Sequence, residues 1–375
     1  MHVPEFLFRV HRSALLPALD AVIEAVDQRA TIPILGNILL VPKGSELTLR
    51  ATDLAIEVET SCELLEAASG SGLTVAGSGL RDIVKNLPEN AEVVFSPGAF
   101  PDQVRIQSGR SRFSLLTLPE KDFPLIGDKV SGSNLQLEIA PLIDAFMRVL
   151  YAIREDKTRN YLSGAFLHPH DSTRISVVGC DGHNLAASRV EAGAEVAFPP
   201  VIVPIRTVKA VKKLFGDSKG RADVTISDAM IRIALNGVTL VSKLVDGIFP
   251  DYARVIPPRT NHAAVASVAT FKAAVSRVCL VAGDLEKDTI KLQLAPGSLK
   301  VSMNTTAGEE AAEDMPVDYS GEPVEVGFNG RYLTAMLSSV GTQDVEMHLS
   351  DAVTPGLFRP TIDRDEQFVL MPRRL

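Results

Sequence analysis

The chain has 375 residues, 46% of them hydrophobic and 22% charged, with a formal net charge of −8. That composition supports a full apolar core, contains no run of ~18 apolar residues that could span a membrane, and makes an acidic body unsuited to indiscriminate nucleic-acid binding. The start, Met1 to Glu5, lacks the basic and apolar regions of a signal peptide, and Cys62, Cys180 and Cys279 are scattered, as in a reducing, cytoplasmic protein without a disulfide framework or metal-ligand spacing.

Phe6–Val10 alternates as a short strand, and Ser13–Val26 reads as an amphipathic helix with Leu15, Leu19, Val22, Ile23 and Val26 on one face. Ser13 can cap that helix, and Pro17 falls in its first turn, where a missing N–H costs little. Glu46–Arg50 and Ala55–Glu59 alternate as strands with one face buried. A second helix presents Leu80, Ile83 and Leu87. A strand at Arg112–Leu116 then runs into Leu118-Pro119-Glu120-Lys121-Asp122-Phe123-Pro124, where proline ends the ladder and Phe123 anchors the exit.

The same order follows twice more. Leu135–Ile139 precedes a helix at Ala140–Ile153 with Leu142, Phe146, Val149 and Ile153 on one face. Arg174–Val178 is a strand, Val208, Val211 and Phe215 mark the second helix, and Val238–Val245 leads to a second Phe-Pro exit at Phe249-Pro250. In the third copy Ala264–Val268 precedes Ala269–Ala282, with Phe271, Val275, Val278 and Ala282. Ser298–Met303 is again a strand, and Leu333, Met336 and Val340 mark the last helix. Matching elements recur every 125–129 residues or so, which makes chance a poor explanation. The expectation is three homologous α+β domains at 1–130, 131–260 and 261–375, each with two helices and many strands, linked through Gly127–Asn134 and Pro257–His262.

The second helix of every copy is basic: Arg81 and Lys85, then Arg206, Lys209, Lys212 and Lys213, then Arg331. One such face is ordinarily just solvated. Three at the same repeat position can line one surface and meet phosphates without reading bases. Cys180-Asp181-Gly182-His183 offers a nucleophilic dyad on paper. It follows a strand and reads better as a turn with a permissive Gly182, so a hydrolase is the lesser reading.

Several phrases carry a resemblance: Thr31-Ile32-Pro33-Ile34-Leu35-Gly36-Asn37, Ala51-Thr52-Asp53-Leu54, Ser108-Gly109-Arg110-Ser111-Arg112-Phe113-Ser114, Cys180-Asp181-Gly182-His183, Ser242-Lys243-Leu244-Val245-Asp246-Gly247 and Met371-Pro372-Arg373-Arg374-Leu375. With the threefold repeat, the chain resembles the bacterial DNA polymerase III β subunits, the sliding clamps, over essentially its whole length. The resemblance implies a ring-shaped head-to-tail homodimer of six clamp domains, with helices lining a channel and antiparallel sheets outside. It implies a processivity factor that encircles duplex DNA and tethers the polymerase, catalyses nothing and needs no cofactor. The implied partners are DNA of any sequence, the polymerase III catalytic subunit, the clamp loader and other proteins carrying a clamp motif.

The resemblance also assigns residues. Arg29, Arg81, Lys85, Asn160, Tyr161, Arg206, Lys209 and Lys213 would touch DNA. Leu162, Cys180, Gly182, His183, Leu185, Pro250, Arg254, Val255, Val353, Val369, Met371, Pro372 and Arg374 would line a peptide pocket, whose aliphatic and Met walls suit apolar anchors and whose arginines suit polar groups. Arg110, Phe113, Leu115, Leu280 and Val281 would join the two copies. The chain departs from the family pattern at Ser78, Gly79, Asp156, Asn160, Cys180 and Asn184.

Overall fold

The computed structural model describes residues 7–29, 31–126, 130–156, 158–281, 289–305, 308–362 and 365–375. Phe6, the Gly127 to Lys129 part of one expected linker, Lys157 and Ala282 lie outside the described residues. Each repeat carries two helices: α1 Arg12–Val22, α2 Gly77–Lys85, α3 Ile139–Val149, α4 Ile205–Phe215, α5 Val268–Val278 and α6 Gly330–Ser339. The first helix of each repeat tightens at its end into a 3-10 turn, at Ile23–Ala25, Leu150–Ala152 and Cys279–Val281. Their apolar faces are core: Leu15, Leu19 and Val22, then Leu142, Phe146 and Val149, then Phe271, Val275 and Val278 are all buried. Along the second helices Leu80, Val208, Val211, Phe215, Leu333, Met336 and Val340 are buried, while in α2 Val84 rather than Ile83 takes the inward position.

Two local expectations are corrected. Helix α1 begins at Arg12 with His11 as its N-cap and no side-chain cap, so Ser13 lies within it. Pro17 therefore sits in the second turn and removes one intrahelical hydrogen bond. Helix α5 does have a side-chain cap, with Ser267 Oγ accepting from the Thr270 N–H at 3.4 Å. Nor do the prolines of the Phe-Pro pairs stop the strands, because Ser111–Pro119 ends on Pro119 and Val238–Lys243 at Lys243, before Pro124 and Pro250. The phenylalanines do anchor the exits. Phe123 is buried with Ile34, Leu35 and Leu39, and Phe249 with Leu162, Leu185, Ile202 and Val369.

The chain packs as two compact units, Met1–Leu137 with Lys209–Leu244 and Glu138–Val208 with Val245–Leu375. The middle repeat is divided because its strands extend the sheets of both neighbours. In the first unit Val238–Lys243 pairs antiparallel with Ile56–Ser69, setting Leu240 opposite Val58 and Ser242 opposite Ile56. This pairing is part of an eleven-stranded sheet. In the second unit the terminal strand Gln367–Leu370 lies between Asn184–Glu191 and Gly356–Pro360, with Val369 opposite both Leu185 and Leu357. Among the described residues, Ser111–Pro119 and Glu310–Pro316 are two of the strands with an open edge. Ser111–Pro119 pairs with Gln103–Ser108 on one side, but on the other side meets Leu73–Ala76 only from Thr117 onward. Glu310–Pro316 is the end strand of a four-stranded sheet and pairs only with Ser298–Asn304. No described helix is long and apolar enough to cross a membrane.

Candidate functional site

The Cys180–His183 phrase is a hydrogen-bonded turn closing the hairpin of Arg174–Cys180 and Asn184–Glu191. Asp181 Oδ1 accepts from the backbone N–H of His183 at 2.8 Å and of Asn184 at 2.7 Å, and Oδ2 accepts from Asn184 Nδ2 at 2.9 Å. These bonds replace the solvation of a carboxylate that is 7% exposed. Gly182 has φ +91°, a conformation that side chains rarely adopt. Burial pushes the Cys180 thiol up, the reverse of what an activated thiolate requires. With its acid committed to the turn, the phrase has no hydrolase geometry.

The C-terminal segment lies beside this turn. Met371 donates its N–H to the His183 carbonyl at 2.9 Å, and Arg373 donates to the Gly327 carbonyl at 2.8 Å. A groove of about 470 Å³ opens there, lined by Tyr151, Arg154, His183, Tyr332, Met371 and Pro372 among others. Asn329 builds its far wall. Its side chain caps α6 by accepting from the Arg331 N–H at 3.0 Å and the Tyr332 N–H at 3.2 Å, and the Tyr332 ring lies 6.0 Å from that of His183. Sequence reasoning missed Tyr151, Arg154, Asn329 and Tyr332 as groove residues, since the helix comparison followed only apolar and basic positions on the helices. The Asn-initiated helix was a readable signal for Asn329 and its neighbour.

Of the residues assigned to the pocket, Leu162, Leu185 and Val369 are core, at 6%, 2% and 2% exposure. They form a buried cluster with Phe249, Ile202, Val178 and Leu357, so they are a floor and not an open wall. Half-buried Cys180 packs against the same cluster. Phe166, absent from the sequence assignment, stacks on Phe249 with centroids 4.6 Å apart. Pro250, Arg254, Val255, Val353, Met371, Arg374, Gly182 and His183 are exposed, and Pro372 is half-buried. Only His183, Met371 and Pro372 of the assigned set line the 470 Å³ groove.

The basic residues are more constrained than their sequence suggests. Arg29, Lys85, Arg206, Lys209, Lys212 and Arg331 are exposed. Arg81 is half-buried, with Nε donating to Asp20 Oδ1 at 2.6 Å, and Lys213 is ion-paired with Glu24. Neither is the open base that repeat position alone implied. In the loop before Tyr161, Asp156 organises its own surroundings. Oδ1 accepts from Thr158 Oγ1 at 2.6 Å and the Thr158 N–H at 2.8 Å, and Oδ2 accepts from Arg159 Nε at 3.0 Å. Those donors, Thr158 first, hold its carboxyl well below the usual range. Asn160 is exposed on the 3-10 turn Asn160–Leu162, whereas Tyr161 packs against the buried cluster.

Of the residues expected to join two copies, Phe113 and Leu115 lie on the open strand Ser111–Pro119, and Leu280 and Val281 on a 3-10 turn beside Glu310–Pro316. Phe113 and Leu115 are half-buried on Ser111–Pro119, in register with buried Ile106 and Val104, and Arg110 is exposed in the turn before them. Leu280 is 82% exposed on the 3-10 turn Cys279–Val281, and Val281 is half-buried.

Comparison with known proteins matches the families described as DNA polymerase III beta subunit, N-terminal domain over residues 6–127, central domain over 136–251, and C-terminal domain over 253–374. The Beta sliding clamp of Caulobacter vibrioides is 34% identical over 98% of this chain and 99% of its own length. That of Escherichia coli (strain K12) is 32% identical over 98% and 100%. Among solved structures, a DnaN sliding clamp (DNA polymerase III subunit beta) from Pseudomonas aeruginosa bound to griselimycin superposes with a TM-score of 0.93 at 33% identity, covering 98% of this chain and 99% of that one. A DNA polymerase sliding clamp from Caulobacter crescentus gives 0.91 at 34% identity, over 98% and 99%.

Proposed function

This chain belongs to the DNA polymerase III β-subunit family, the sliding clamps, and from that membership we propose that two copies close head to tail into a ring around duplex DNA. It is a non-catalytic DNA sliding clamp for DNA polymerase III, and its partners are DNA and the polymerase. We place its three domains near 1–130, 131–260 and 261–375, in keeping with the three family matches. Work on replicating DNA puts it in the cytoplasm.

The single observation that carries the ring is the repetition of one strand junction. The strand before the second Phe-Pro exit, Val238–Lys243, pairs with Ile56–Ser69 of the first repeat. The last strand of the third repeat, Gln367–Leu370, pairs with Asn184–Glu191 of the second. By repeat position the remaining members of this series are Ser111–Pro119 and Glu310–Pro316, which have no such junction partner among the described residues and are open along an edge. Unpaired edges invite pairing, and a head-to-tail contact closes when its rotation divides the circle. Arg110 and Arg112 near one edge and Glu310, Glu313 and Asp314 on the other add opposite charge. In this reading the basic second helices face duplex phosphates, and the groove beside His183 and Met371 takes a short partner peptide with apolar anchors. The ring reading predicts a native mass of two 40.3 kDa chains. A species of one chain at micromolar concentration contradicts it.

A further inference from the structure

Asp20 and Glu24 stand one helical turn apart, on α1 and on the 3-10 turn that continues it. Each engages a base from a different second helix. Asp20 Oδ1 accepts from Arg81 Nε of α2 at 2.6 Å, and Glu24 pairs with Lys213 Nζ of α4. Asp82, the neighbour of Arg81, lies further from it at 3.9 Å. The side chains of Asp20 and Lys213 are 46% and 63% exposed, so a competing anion in solution can reach both pairs. Glu24, at 19%, is the more fixed partner.

We propose that Asp20 and Glu24 are built-in phosphate mimics, which occupy Arg81 and Lys213 until a duplex phosphate displaces them. The proposal rests on the reading that these two bases face DNA. Exposed ion pairs are weak, so exchange of carboxylate for phosphate is easy. Much of the affinity of a base for DNA comes from counterions released when it meets a phosphate. A base already neutralised by a carboxylate gains less from that exchange, because an acid is set free as the phosphate arrives. The acids therefore lower both affinity for the duplex and its dependence on salt. A protein that must slide gains from this, since every strong phosphate contact is also a brake.

The test is fluorescence-anisotropy titration of a short linear duplex across a salt series. It compares wild type, Asp20→Asn, Glu24→Gln, Arg81→Gln and Lys213→Gln, each checked for melting temperature and dimer mass. Asp20→Asn and Glu24→Gln should each tighten binding roughly two- to fivefold. Each should also steepen the slope of log K against log salt by up to about 0.9. Arg81→Gln and Lys213→Gln should weaken binding. If the Gln variants of the bases weaken binding while both acid variants match wild type, the mimic proposal is wrong and the DNA reading stands. If removing either base changes nothing, the DNA reading of that base falls, and the proposal falls with it. The Asp20 pair is the more open of the two acids, so Asp20→Asn decides the matter should Glu24→Gln perturb folding.

Discussion

Met371 donates its backbone N–H to the carbonyl oxygen of His183 at 2.9 Å, joining the final segment of the chain to a turn from the middle repeat. The bond extends the pairing of Leu370 with Asn184 in the adjoining strands. It brings two short stretches, nearly 190 residues apart in sequence, to one groove.

Deletion of Met371 to Leu375 should therefore abolish binding of a peptide of the form Gln-Leu-x-Leu-Phe. Wild type should bind it at roughly micromolar Kd, because few residues are buried and the free peptide must be ordered. The strand Gln367–Leu370 keeps its partners, and the proposed dimer edges lie elsewhere. Calorimetry should show no peptide binding while sedimentation still shows a dimer; unchanged peptide affinity would refute the assignment of the groove.

Leu280→Asp should give a monomer. The wild-type side chain is 82% exposed in one chain, so the substitution costs the isolated fold little, while a charge in an apolar interface is unfavourable. A fully dimeric variant in sedimentation velocity would show that the joining surface lies elsewhere.

Asp181→Ala should destabilise the second unit by about 1–3 kcal/mol, because it strands the buried Asn184 N–H and side-chain amide and the partly buried His183 N–H. It should weaken peptide binding as well, since the turn through Gly182 and His183 loses the bonds that His183 and Asn184 donate. Denaturant unfolding and calorimetry read the two effects. A variant as stable as wild type would mean that the turn is held by its strands alone.

His168 gives the fold a pH dependence of known sign. Its Nε2 lies 2.9 Å from the Tyr252 hydroxyl, and burial, with Arg189 adding to it, holds the ring below its ordinary value of 6.5. The unfolded chain takes a proton near pH 6.5 and the folded chain does not. Its contribution is thus complete above 6.5 and is lost as pH falls from there through the lower folded value. Chemical denaturation at pH 7.5, 6.5 and 5.5 should show a steeper loss for wild type than for His168→Gln. Parallel losses would remove His168 from the account.

How much of this was legible in the sequence follows from what a period can encode. Helix faces recur every 3.6 residues, so Leu142, Phe146 and Val149 declared themselves, and so did the threefold order of elements. A period cannot by itself tell the floor of a pocket from its wall: Leu185 and Val369 are apolar in either role, and plain core, the reading the sequence favours for both, is what their burial in one cluster shows. Nor does it name the partner of a charge. Arg81 and Asp20 stand 61 positions apart, and Lys213 and Glu24 stand 189 apart. Pairs so distant become visible only when the helices are packed. In the sequence Asp156 is only a departure from the family pattern; in the fold it accepts from Thr158 and Arg159 within its own loop.

The central claim, that the protein holds DNA by enclosing it, is tested most directly on a single loaded circle. The clamp is placed by its loader on nicked circular duplex, separated from free protein, and counted before and after the circle is cut once by a restriction enzyme. An acidic ring with a basic lining should stay on the circle through moderate salt, even though direct phosphate contacts weaken there, and should leave the cut molecule by sliding off its ends. Equal retention on the intact circle and the cut, unblocked duplex would contradict the account.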